Sequence, residues 1–185
     1  MDVSTKLGQA GVRGDEVVLE PARMRRRESD ALDAVDAAQS EALWAARKAL
    51  SPALRGIASG KINEDVVVPV SRIPDLVARV GDISRQHGLR IVCFGHAGNG
   101  NLHVNILYDA ADAAQSARAT EALAEVFAVT LSLGGQLSGE HGIGLAKRDF
   151  MPQALEPATL EAMRAIKRVF DPDGLLNPGK VLPLP

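Results

Sequence analysis

Two neighbouring stretches have the hydrophobic pattern of β-strands. Residues 89–96 (LRIVCFGH) form a short, mostly apolar run, and apolar and polar residues alternate at the start of 102–108 (LHVNILY). A third strand is predicted over 64–73 (EDVVVPVSRI). Because proline has no backbone N–H to donate to a neighbouring strand, Pro69 indicates a strand end or a sheet edge. A short further strand is predicted in GQLSGE, residues 135–140. The first two strands follow each other so closely that they predict a β-hairpin.

The other periodic stretches are rich in alanine and charge, and their spacing of apolar residues predicts helices. These helices are expected over 37–50, 111–132 and 158–170, and one more begins near Pro74 and ends at Gly88. A hairpin combined with crossing helices indicates an α+β fold, in which a mainly antiparallel sheet carries helices packed on one face.

The first 35 residues differ from the rest of the chain. Residues 1–28 show little periodicity, so we treat 1–35 as an atypical lead-in whose order is left open and 36–185 as the domain. The basic run RMRRRES (23–29) is either a polyanion-binding arm or a solvated charged segment, and the acidic residues that follow favour the second interpretation.

Composition narrows the functional classes. The formal net charge is −2 and aromatic residues make up 3% of the chain, which argues against a nucleic-acid-binding surface. No stretch has the length of a membrane span, and the N-terminus lacks the apolar core of a signal peptide. The single Cys93 excludes an internal disulfide. We expect a cytoplasmic protein, with a peripheral position at the inner membrane as the alternative.

The predicted hairpin brings two histidines together. If Asn99 and Gly100 form a two-residue turn, His96 lies directly opposite His103, with Cβ atoms about 5 Å apart on one face. Two imidazoles at this separation are able to share one metal ion. Asn105 points to the same face as His103, since side chains alternate along a strand. The alternative is an ordinary polar hairpin surface, and a longer loop would change the register.

A second cluster lies in SGEHGIG (138–144), where Glu140 and His141 stand among glycines. On an extended chain these two side chains point to opposite sides, so they would have different roles. Two histidines and one glutamate form a ligand set that leaves a position open for substrate. The remaining histidine is then free to move protons near neutral pH.

Three segments in this order resemble one known family: FGHAGNGNLHVN, GGQLSGEHGIGLAKRDFM and IKRVFDPDGLLNPGKVLP. They are similar to the C-terminal substrate domain of FAD-linked D-2-hydroxyacid dehydrogenases. That group includes D-lactate dehydrogenases, the glycolate oxidase flavin subunit and D-2-hydroxyglutarate dehydrogenases. The likeness takes in ALWAARKAL and EDVVVPVSRIPDLV as well, so it covers roughly residues 36–184.

The resemblance implies a role for each matching residue. The implied metal ligands are His96, His103 and Glu140, and the implied general base is His141. It further implies substrate contacts through Arg47, Asn105 and Ser51, with Arg47 on the substrate carboxylate, and a flavin-side position for Asn177. Some relatives carry a lysine where this chain has Asn63, and the nearby Lys61 is out of register, which weakens the case for a second-carboxylate clamp.

The resemblance also implies cofactors and partners. These are FAD, a divalent metal (zinc, manganese or iron), a small D-2-hydroxy acid of the lactate or glycolate type, and a protein or quinone as electron acceptor. The family carries an FAD-binding domain ahead of this one, and residues 1–35 lack its glycine-rich diphosphate loop. We therefore expect a truncated product, an expressed fragment or one part of a split enzyme, inactive alone and open to forming a homodimer.

Two other functional classes remain open. A site with two histidines, one glutamate and a neighbouring histidine is able to generate hydroxide, as in a metallohydrolase. The other alternative is an inactive fragment that folds and self-associates without its FAD domain.

Overall fold

The computed structural model describes residues 11–12, 16–19, 31–32 and 36–183 of the chain. The basic run 23–29 and most of the lead-in lie outside the described residues. None of the helices within the described ranges combines the length and apolar character that a membrane span requires.

The centre of the fold is a four-stranded antiparallel sheet. Its strands, in spatial order, are β2 (Glu16–Leu19), β5 (Arg90–His96), β6 (Asn101–Tyr108) and β4 (Gly60–Val67). Two short strands, β1 (Gly11–Val12) and β3 (Ala31–Leu32), pair in parallel as a separate sheet. The edge strand β2 belongs to the lead-in, where the periodicity indicated no strand.

The helices are α1 (Ala37–Arg55), α2 (Ile73–His87), α3 (Ala113–Ser132), α4 (Met151–Ala154) and α5 (Pro157–Phe170). Local chemistry explains where they begin and end. The Asp112 carboxylate accepts hydrogen bonds from the first backbone N–H groups of α3, which lack partners within the helix. At the end of α2, Gly88 adopts the left-handed conformation with a φ of +62°, as predicted for a glycine at this position.

Helices α2 and α3 cover one face of the sheet. Their buried residues pack with alternate residues of the strands in one apolar core that includes Val77, Val80, Phe127, Val104 and Ile106. The prediction of an α+β fold with a mainly antiparallel sheet is therefore confirmed. The packing is not restricted to that face, because the C-terminal part of α1 also lies against the opposite face.

The contact between α1 and the opposite face of the sheet is small. Leu50 and Leu54 of α1 pack with Val92, Phe94 and Leu107 of the sheet. We call the α2/α3 side of the sheet the helix face and the opposite side the site face.

The hairpin is real, but the predicted register was wrong. Residues 97–99 form a 3₁₀ turn, so the loop is longer than two residues and His96 pairs with Asn101 instead of His103. Gly100 has a φ of +78°, and an added Cβ would lie 1.9 Å from the carbonyl O of Val68, so the loop requires glycine here. The register shift is two residues, and both histidines therefore keep to the same face.

The strand predicted over 135–140 is reduced to one β-bridge between Gln136 and Val67. After that bridge the chain bends along the free edge of β4 instead of extending the sheet. The backbone N–H groups of residues 139–141 are directed at the Asp65 side chain, which explains why no strand ladder continues.

Candidate metal and substrate site

Polar side chains occupy the site face at one end of the sheet. On β6, His103 and Asn105 alternate with Leu102, Val104 and Ile106, which belong to the helix-face core. The partner of His103 on β4 is Asp65, and the partner of Asn105 is Asn63. Strand alternation thus places a histidine and a carboxylate side by side.

The two hairpin histidines lie close together. The ring centroids of His96 and His103 are 5.8 Å apart at an interplanar angle of 74°. His103 is 5% exposed and also packs against the Phe94 ring at 5.6 Å. Burial, the largest influence, lowers the pKa of His103, and the neighbouring Glu140 carboxylate offsets this only in part. His103 is therefore favoured in the neutral form, in which an imidazole binds a metal.

Glu140 approaches both histidines from the bend that follows Gln136 and runs along the free edge of β4. Its Oε1 lies 3.1 Å from His103 Nε2, and its Oε2 lies 3.8 Å from His96 Nε2. One ligand atom from each of the three residues lies within 4.8 Å of the others. Two imidazole nitrogens and a carboxylate oxygen are the donor set of three-ligand zinc and related sites, so these residues fit a divalent metal.

His141 joins the same cluster. Its ring stacks on His103 with centroids 5.1 Å apart, and its Nε2 lies 3.6 Å from Glu140 Oε1. The expectation that Glu140 and His141 point to opposite sides was wrong, because this segment is a bend and not an extended strand. The His141 side chain is 41% exposed, which leaves the ring accessible beside the candidate ligands.

Two residues that the sequence analysis gave no role lie directly behind the cluster. Asp65 is fully buried and Lys147 is 1% exposed, and their side chains form an ion pair. Burial raises the pKa of Asp65, but hydrogen bonds from Lys147 and from the backbone N–H groups of Glu140 and His141 outweigh it and hold this pKa far below its usual range. The sequence signal for Asp65 was its place in the predicted strand 64–73, where strand alternation directs this carboxylate inward.

Asn105 lies on the site face, and Ser51 belongs to the part of α1 that packs against the same face. Asn105 is fully buried, and its Nδ2 donates to the carbonyl groups of Val92 and His103, each at 3.3 Å. Ser51 Oγ accepts a hydrogen bond from Lys61 Nζ at 2.8 Å. Burial, together with the charge of Arg55, lowers the pKa of Lys61.

The remaining two predicted site residues lie on other elements than His96, His103, Glu140 and His141. Arg47 is half-buried on α1, one turn before Ser51. Asn177 is exposed in the tail that follows α5, with a φ of +46° and a contact from Lys180 Nζ at 3.4 Å. The tail does reach the segment that follows His141, since Val181 N donates to Gly144 O at 2.8 Å.

Comparison with known proteins identifies the family to which the chain is similar. The family described as "FAD linked oxidases, C-terminal domain" matches residues 15–181. The glycolate oxidase subunit GlcD of Bacillus subtilis (strain 168) is 38% identical over 151 residues, which is 80% of this chain and 32% of that protein. A D-lactate dehydrogenase of Anaerostipes hadrus is 34% identical over 91% of this chain and 35% of its own length.

A third relative has a different name. The D-2-hydroxyglutarate dehydrogenase of Stutzerimonas stutzeri (strain A1501) is 37% identical over 77% of this chain and 31% of its own length. The chain thus spans about a third of the length of the curated relatives it matches.

Among solved structures, the 4-ethylphenol oxidase from Gulosibacter chungangensis in its isoeugenol complex matches 88% of this chain and 32% of that chain, with a TM-score of 0.54. At 18% identity this match shows a shared fold alone. The family match begins at residue 15 and so includes the edge strand β2. The resemblance seen in the sequence is confirmed, and the chain belongs to the family of FAD-linked oxidase C-terminal domains.

Proposed function

We propose that this chain is the substrate- and metal-binding domain of a flavin-dependent dehydrogenase that oxidises a D-2-hydroxy acid of the lactate or glycolate type to the 2-oxo acid. The observation that carries the proposal is the convergence of His96, His103 and Glu140, whose ligand atoms lie within 4.8 Å of one another. The names of the relatives, glycolate oxidase subunit and D-lactate dehydrogenase, support the substrate class.

In this proposal His96, His103 and Glu140 would hold a divalent metal through their imidazole nitrogens and carboxylate. The metal, when bound, supplies Lewis-acid polarisation of the substrate's 2-hydroxyl and carboxylate. FAD supplies the hydride acceptor and is bound mainly by a domain outside this chain.

The chain's own residues then perform the proton and binding steps. His141 takes the proton of the 2-hydroxyl at Nε2, because its Nδ1 lies 3.4 Å from Asp65 Oδ1 and a proton is favoured there. Arg47 binds the substrate carboxylate through its planar guanidinium, and Asn105 and Ser51 contact the substrate. Because no residue here accepts a hydride, we expect the flavin-free chain to oxidise no hydroxy acid.

Calorimetric titration of the purified chain tests the proposal. With one equivalent of Mn²⁺ present, D-lactate or glycolate is expected to bind, and the signal should disappear without the metal or in His103→Ala. The matched control is His87→Gln, since His87 pairs with Glu125 on the helix side, away from the cluster. Equal binding with and without metal, or turnover by the flavin-free chain with an artificial acceptor, would contradict the proposal.

The exposed His141 next to a two-histidine, one-glutamate set also suits a metallohydrolase. A screen of ester and amide hydrolysis by the metal-loaded chain separates this second candidate from the first.

Co-purification with an FAD-domain protein would in turn distinguish a subunit of a split enzyme from an inactive fragment.

A further inference from the structure

One buried carboxylate organises the loop that carries Glu140 and His141. Asp65 Oδ2 accepts hydrogen bonds from the backbone N–H groups of Gly139 and Glu140, each at 2.6 Å, and from that of His141 at 3.2 Å. Ser138 Oγ donates to the same carboxylate at 3.1 Å. Successive N–H groups that converge on one anion form a nest, and such a nest forces a bend in the backbone.

The carboxylate is itself held in place. Lys147 Nζ binds Asp65 Oδ1 and donates to the Asp65 carbonyl O at 2.8 Å, so both ends of the aspartate are tied to one ammonium group. A second carboxylate, Glu64 Oε2, lies 3.4 Å from the same Nζ. With Asp65 and Lys147 both excluded from solvent, neither side chain has water as an alternative partner.

The bend decides where the site side chains point. On a straight strand Glu140 and His141 would face opposite sides of the sheet, whereas here Glu140 Oε1 is 3.1 Å from His103 Nε2 and 3.6 Å from His141 Nε2. The Asp65 carboxylate also faces the His141 ring, with its Oδ1 3.4 Å from Nδ1.

We propose that Asp65, locked by Lys147, is the positioning residue of this site: its carboxylate folds residues 139–141 so that Glu140 completes the metal ligand set and His141 presents Nε2 to the substrate. The inference rests on the proposed function, and it adds residues that bind neither metal nor substrate. It predicts that metal affinity depends on a side chain that never touches the metal.

The test compares Asp65→Asn with Glu64→Gln in the full chain, using zinc titration and amide hydrogen exchange. Glu64→Gln is the matched control, because it alters a partner of the same lysine without touching the loop amides. Asp65→Asn is expected to weaken zinc binding about 10- to 100-fold, the usual effect of removing a residue that orients a ligand. It should also speed exchange at the amides of residues 139–141, whereas Glu64→Gln should change neither quantity. A folded Asp65→Asn variant with wild-type zinc affinity and unchanged exchange would overturn the proposal.

Amide hydrogen exchange measured without metal separates the positioning role of Asp65 from the proposed metal site. If the unmodified chain binds no zinc, the proposed metal site fails, yet faster exchange at residues 139–141 in Asp65→Asn still supports the positioning role. If Asp65→Asn does not fold, Ser138→Ala replaces it, since Ser138 Oγ donates to Asp65 and accepts from Gly142 N at 2.8 Å. Ser138→Ala should lower zinc affinity and speed exchange to a smaller extent, and unchanged values for both would overturn the proposal.

Discussion

The two faces of the central sheet differ chemically, although β6 is buried on both. On β6, Val104 and Ile106 lie in an apolar core beneath α2 and α3, whereas the buried residues on the site face are the polar His103 and Asn105. Across the described part of the chain, the buried side-chain atoms without a hydrogen-bond partner are Asn63 Oδ1, Asn101 Oδ1, His103 Nδ1 and Asn105 Oδ1. All four belong to site-face residues.

The contrast separates residues that only stabilise the fold, on the helix face, from residues that build the site and rest on a buried ion pair, on the site face. Apolar side chains on the helix face stabilise the fold by their removal from water. Unpaired buried polar atoms on the site face are costly, so they oppose folding where the apolar side chains of the helix face favour it. Substitutions on the two faces test this separation, and the buried ion pair should have the strongest effect.

Lys147→Met should give the largest loss of stability, because it leaves the Asp65 carboxylate buried without its cation. Removing one partner of a buried ion pair costs about 3–5 kcal/mol. Urea unfolding followed by circular dichroism measures this loss. The control is Arg85→Met, whose exposed pair with Asp82 should contribute about 0–1 kcal/mol. Equal effects of the two substitutions would show that the buried pair does not hold the site-face edge of the sheet.

Ile106→Ala tests the helix face. The side chain is fully buried in the apolar core, and its truncation should cost about 2–5 kcal/mol in the free energy of unfolding. Because Ile106 points away from the histidines, metal content at native conditions should equal that of the unsubstituted chain. Urea unfolding and metal analysis of the same sample measure both quantities. Loss of metal from a folded Ile106→Ala protein would break the separation between the faces.

Cys93, also on the helix face, gives a smaller and pH-dependent effect. Burial raises the pKa of its thiol from 9.0 to about 12. Between those values the unfolded chain loses this proton while the native chain keeps it, so the free energy of unfolding falls as pH rises. Stability at pH 10 should be about 1 kcal/mol below that at pH 8 through this group. Cys93→Ala should show a correspondingly smaller decline between the two pH values, and an identical decline would contradict the buried-thiol account.

Much of the fold follows from local sequence signals. The helices over 113–132 and 157–170 lie within two residues of their predicted bounds, since the amphipathic spacing and the capping residues act locally. The histidine pair was predicted on one face in spite of the wrong register, because the error of two residues preserves strand alternation.

Other features depend on contacts between distant segments. The bend at Glu140 and His141 is imposed by Asp65, 75 residues away for Glu140, and no local signal in SGEHGIG reveals that partner. The hairpin loop length depends on the close approach of Gly100 to Val68, which belongs to another segment. Strand β2 forms by pairing with β5, although its own sequence shows little periodicity.

The metal site is tested by the metal content of the purified chain, measured by mass spectrometry beside His103→Ala and the His87→Gln control. We expect about one equivalent of zinc, manganese or iron in the parent and in His87→Gln, and its loss in His103→Ala. No metal in the parent after reloading with zinc and manganese, or equal metal in the parent and His103→Ala, would contradict the assignment of the site face as a metal site.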